Sequence, residues 1–179
     1  MPTKAQLDAV ITKMQGSQDL SPGGILALKE LAFGLNELTS LKESDQLELG
    51  TSYVDVTGTG IPVSAYGVYA FDYRLILDSD ATTTAIFAAV NGPASPLSIH
   101  YTVTYWTATL VTTSQLATAY DTVGTHANSN GTTQAIYVVN GILRNGPNPG
   151  TLIARACREA VGSGPNARAG SFGRARKLA

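Results

Sequence analysis

The sequence predicts a mainly β fold: an antiparallel β-sandwich of jelly-roll kind behind a short N-terminal helical segment. Three observations carry this. Hydrophobic residues recur at helical spacing only before Gly50, and after it they alternate with a period of two between clusters of turn residues. Charged residues make up 14% of the 179, against roughly 25% in typical soluble domains. The length suits one domain of about 100–150 residues with an appendage. It is long enough to bury a core without a disulfide or a metal. The helical segment is placed at residues 1–50 and the sandwich at 51–179.

The helical segment begins at a capping box, Thr3 with Gln6, followed by Leu7, Val10, Ile11 and Met14 at helical spacing up to Gly16. A second helix starts at Ser21, a good N-cap, with Pro22 at the first helical position. Leu28, Leu31, Leu35 and Leu38 then repeat with 3-4-3 spacing, widened by Ile25, Leu26, Phe33 and Leu41. That stripe packs either on its own domain or against copies of itself on an oligomer axis. Two heptads are too short to hold a coiled coil alone, so the second reading requires the following domain to oligomerise as well.

Strands follow. Tyr69, Phe71, Tyr73, Leu75 and Leu77 alternate with Ala70, Asp72, Arg74 and Ile76, which predicts a strand with one apolar face. Leu97, Ile99, Tyr101, Val103 and Tyr105 alternate with Ser98, His100, Thr102, Thr104 and Trp106 in the same way. Further strands are expected at 84–90, 133–144 and 151–161, with end strands at 52–57 and 171–178. Turn signals separate them at Gly58 to Gly60, Asn91-Gly92-Pro93, Asn128 to Gly131 and Gly146 to Gly150. Such punctuation without intervening helical periods suggests a sandwich or jelly roll.

The charge map is uneven. Between Arg74 and Arg144 there is no Lys, Arg or Glu, and the only acids are Asp78, Asp80 and Asp121. A lone sandwich shows one face of its strands to water and normally carries charge there. The gap therefore predicts surfaces covered by neighbouring subunits. The C-terminal stretch is basic, and Arg168, Arg174, Arg176 and Lys177 form a candidate docking patch for an acidic protein surface. Nucleic acid is not expected, because the net charge is −1 and the basic residues are not interleaved with aromatics. The sequence shows no secretory leader and no membrane-spanning run.

Chemistry has thin support. Cys157 is the only cysteine and reads as a small buried hydrophobe. His100 and His126 have no partners at metal spacing. Gly58-Thr59-Gly60 lacks the third glycine and the helix of a dinucleotide site. No catalytic residue, metal or cofactor is expected, and the chain reads as a non-enzyme. Carbohydrate binding is the alternative, with Tyr105, Trp106 and Tyr120 as candidate ligand contacts beside Tyr53 and Tyr66. Trp106 falls out of phase with the apolar face of its strand.

Several fragments resemble a domain recurrent at the C-termini of tailed-bacteriophage structural proteins. They are Val54 to Gly60, Tyr69 to Leu75, Asn91 to Pro96, Tyr101 to Tyr105, Ala119-Tyr120-Asp121, Gly141 to Arg144, Gly150 to Arg155 and Ala169 to Gly173. Together they cover about residues 52–178. The resemblance implies a virion structural role such as capsid decoration, head fibre or tail fibre, as a homotrimer. The protein would be made in the host cytoplasm and displayed on the particle surface, with capsid or tail proteins as partners and a host glycan as a further possible ligand. The family pattern ends with a smooth apolar strand. Here Arg174-Ala175-Arg176-Lys177 stands in its place.

Overall fold

The computed structural model describes residues 37–47, 49–79, 85–106, 112–122, 134–159 and 165–179. The chain divides into a unit from Met1 to Leu38 and a unit from Thr39 to Ala179. Leu28, Leu31, Leu35 and the helices expected before residue 37 lie outside the described residues. Leu38 is a correction. It sits in strand β1 (Glu37–Leu41), buried, with Glu37, Thr39 and Leu41 exposed beside it. A spacing of three suits one face of a helix but puts Leu38 and Leu41 on opposite faces of a strand, and here Leu38 is buried while Leu41 is exposed. The alternating burial decides for the strand.

The described strands form two antiparallel sheets. The larger has the order β1–β11 (Phe172–Lys177)–β4 (Val68–Ser79)–β8 (Ala135–Arg144)–β6 (Ser98–Trp106)–β7 (Thr112–Ala117), and β10 (Pro165–Ala167) pairs with the far end of β4. In the smaller, β9 (Gly150–Arg158) is central. It pairs with β5 (Ile86–Asn91), β2 (Val54–Asp55) and β3 (Ile61–Val63).

The period of two does the work of orientation. Along β4, Tyr69, Phe71, Tyr73, Leu75 and Leu77 are all buried, as are Ile99, Tyr101, Val103 and Tyr105 along β6. Tyr137, Val139 and Leu143 of β8 join them, and the smaller sheet contributes Ile61, Val63, Ile86, Ala88, Val90, Leu152, Ala154 and Ala156. The two sheets face each other across this core. The Tyr73 hydroxyl donates to the Leu152 carbonyl at 2.9 Å, a buried bond from one sheet to the other. The fold is thus the expected β-sandwich.

Two glycines allow close approaches, to the β6 backbone at Gly141 and to an aromatic ring at Gly173. Gly141 lies opposite both Phe71 and Tyr101, and a Cβ there would come within 2.2 Å of the His100 carbonyl oxygen. Gly173 lies opposite Tyr73, whose ring a Cβ would strike at 2.3 Å. The basic segment at the C-terminus is a paired strand, with Phe172 opposite Arg74 and Lys177 opposite Tyr69. Its small inward residues, Gly173 and Ala175, leave room for the rings of β4.

Candidate functional site

The outer face of β8, β6 and β7 gathers the uncharged stretch into one surface. The register sets Thr104 between Val138 and Ser114, Thr102 between Asn140 and Leu116, and His100 opposite Ile142. The Thr102 hydroxyl donates to Asn140 Oδ1 at 2.7 Å, and the hydroxyls of Thr104 and Ser114 lie 2.8 Å apart. These bonds run sideways along the sheet. Leu116 is 69% exposed and Ile142 is 41% exposed. Among the described outer residues of these three strands there is no Lys, Arg, Asp or Glu before Arg144.

The acids of the charge gap do not relieve this neutrality, because the two that are described are engaged inside the domain. Asp78 is buried. It accepts from Asn166 Nδ2 at 2.9 Å and from Arg168 Nε at 2.7 Å. Asp121 accepts from Arg155 Nη1 at 2.6 Å and from Asn91 Nδ2. Arg155 also holds Asp55 at 2.9 Å and the Tyr53 carbonyl at 2.7 Å. It therefore ties the turn after β7 to the smaller sheet and adds an ion pair between the paired strands β9 and β2.

The four basic residues expected to form one patch are distributed. Arg174 and Arg176 stand together on the outer face of β11, while Lys177, opposite the buried Tyr69, belongs to the other side of that strand. Arg168 lies elsewhere, clamped between Asp78 and Asp45, with Asp45 Oδ2 at 2.8 Å from Nη1. The Ala169 amide, and then the Arg168 guanidinium, hold the Asp45 carboxyl below the usual carboxylate range. Arg168, just after β10, therefore fastens the loop after β1, through Asp45, to β4, through Asp78.

Of the proposed ligand contacts, Tyr105 is a correction. It is buried and stacks on Tyr137 with ring centroids 5.6 Å apart and planes 9° apart. Its place in the inward alternation of β6 puts it in the core. Tyr120 is half-buried against Gly92, where burial pushes its hydroxyl up to about 12. Trp106 ends β6 opposite Thr112. Tyr66 is exposed with a φ of 56°. Cys157 is buried, and desolvation raises its thiol to about 11, with the Tyr53 hydroxyl bond opposing the rise. No group of His, Cys, Asp and Glu that could hold a metal ion occurs among the described residues. His126 lies outside them.

Sequence reasoning passed over Asp72 and Arg74. They share the outer face of β4 and pair with each other, and Asp72 meets Arg174 across the strand boundary. The signal that could have found them is their i, i+2 spacing in the polar phase of the β4 alternation.

No family model matches the chain, and no curated protein does. Among solved structures the chain is similar to Eiger TNF from S. frugiperda, with a TM-score of 0.40 and 11% identity over 80% of this chain and 92% of that one. It is similar to the infectious bursal disease virus Gx strain with a TM-score of 0.20 and 9% identity, over 79% of this chain and 39% of that one. It is also similar to the infectious bursal disease virus VP2 subviral particle with a TM-score of 0.19 and 10% identity, over the same shares, 79% and 39%. At these scores the likenesses say nothing about function.

Proposed function

We propose that this chain is a non-enzymatic structural subunit of a bacteriophage virion surface, a homotrimeric capsid-decoration, head-fibre or tail-fibre component. One observation carries the reading. The outer face of β8, β6 and β7 bears Val138, Ile142 and Leu116 among hydroxyls and an amide, and its described residues include no Lys, Arg, Asp or Glu before Arg144 at the end of β8. Burial of such a face between copies removes apolar surface from water and covers β7, an edge strand with no charge to discourage pairing. Closed symmetry limits that association to a defined number of subunits, and three linked contacts with the particle multiply a weak one. The resemblance of residues 52–178 to the tailed-bacteriophage domain supports the setting on a virion, with capsid or tail proteins as partners. No catalytic residue, metal or cofactor forms part of the proposal.

The test is the solution mass by size-exclusion light scattering at micromolar concentration. The expected mass is three times 18.7 kDa. Ile142→Lys places a charge in the neutral face and is expected to give monomer with the fold intact. A monomeric wild type, or a trimer indifferent to Ile142→Lys and to Leu116→Lys together, refutes the proposal.

A further inference from the structure

The other half of the same sheet face differs in kind. Across β11 and β4 the register sets Arg174 opposite Asp72 and Phe172 opposite Arg74. Asp72 accepts from Arg174 Nη2 at 3.1 Å and from Arg74 Nε at 3.4 Å. The Asp72 side chain is mostly covered, at 15% exposure, while those of Arg174 and Arg74 are 52% and 45% exposed. One carboxylate thus holds two guanidinium groups whose side chains stay about half exposed. With Ile136 and Phe172 they line a shallow depression of about 270 Å³.

Two cations share one anion here, and Arg176 stands in the next row, opposite Ala70. Four other acids of the domain are engaged elsewhere, Asp45 and Asp78 by Arg168 and Asp55 and Asp121 by Arg155. Among its lining residues the depression sets two guanidiniums against one carboxylate, with Ile136 and Phe172 as apolar walls. A sugar needs acceptors for its hydroxyls as well as donors, and the one lining carboxylate bonds arginine through Oδ2 while its Oδ1 is buried. A carboxylate on an apolar stem fits both properties, since guanidinium pairs with carboxylate through parallel N–H···O bonds. The volume is below that of a drug-sized pocket and matches one or two side chains.

We infer that this depression is a docking site for an acidic and apolar peptide segment of a partner protein. The inference gives a chemistry to the particle partner of the proposed function and rests on that reading for its setting. Of the neutral face it uses only Ile136 of β8, and its charged residues lie on β4 and β11, so its test is separate from that of the trimer. The probe is a fluorescent peptide of alternating Glu and Leu, titrated with the full chain and followed by polarisation. Saturable binding is expected, weakened by salt and absent for the Gln-Leu peptide. Arg174→Gln and Arg74→Gln are each expected to weaken it tenfold or more, with solution mass and thermal unfolding unchanged. Arg174→Lys, which keeps charge but loses the planar fork, falls between. Absence of binding to the Glu-Leu peptide by a chain of unchanged mass overturns this inference and leaves the trimer standing. Stronger binding of glucuronate or oligothymidine, or equal binding by the Arg174→Gln and Arg74→Gln variants, overturns it too.

Discussion

Tyr73→Phe removes one oxygen atom from the centre of the sandwich and little else. Tyr73 is fully buried, its ring lies over Gly173, and its hydroxyl bonds the Leu152 carbonyl of the opposite sheet at 2.9 Å. The ring stays, so no cavity term arises. The loss is one neutral hydrogen bond, and removal of one partner of a buried bond costs about 1–2 kcal/mol. For a chain of this size that lowers Tm by about 2–4 °C per kcal/mol. The alkaline limb adds a second readout. Burial holds the Tyr73 hydroxyl far above its usual range, so the folded state keeps a proton that the unfolded state releases. Its contribution is complete below about pH 10 and is lost as pH rises beyond that, at about 1.4 kcal/mol per pH unit. Tyr73→Phe should therefore unfold earlier in urea at pH 7, yet lose stability less steeply than wild type above pH 10. The measurement is urea unfolding by circular dichroism at fixed protein concentration across pH 7 to 11. An unchanged midpoint at pH 7 together with an unchanged alkaline slope would refute the cross-sheet bond and the facing of Tyr73 and Leu152.

Gly141→Ala drives a methyl into the His100 carbonyl and Tyr101 Cβ, at 2.2 and 2.6 Å. It should destabilise by about 1–3 kcal/mol or more, read as a lowered urea midpoint. Cys157 should resist Ellman's reagent at pH 8 in the native protein and react at once in urea, because burial raises its thiol to about 11. Prompt native reaction would contradict its place under Tyr53. The Asp45 carboxyl is held low by the Ala169 amide and Arg168. Its contribution is present above the ordinary carboxylate value and lost as pH falls through the lowered one. Asp45→Asn should flatten the acid limb of the stability curve below about pH 4, and an unaltered limb would count against that clamp.

The sequence by itself determined which side of each long strand faces inward. In β4 and β6 the residue type alternates with period two, and a strand points successive side chains to opposite faces wherever it lies. Tyr105 stands in that inward phase, so its burial is legible in the alternation of β6. The neutrality of the middle strands was legible as well, as a count. Two things were not. The short strands β1, β3, β7 and β10 span three to six residues, too few to separate a period of two from chance. Leu38 is the clearest instance. Only the tertiary structure decided which charges meet. Arg168 finds Asp78 and Asp45 across 90 and 123 positions of chain, and Arg174 finds Asp72 across 102. Alternation is a property of neighbouring residues, whereas an ion pair depends on the register between strands that the chain brings together from afar. That register turned one basic stretch into a fastener at Arg168 and an open pair of guanidiniums at Arg74 and Arg174.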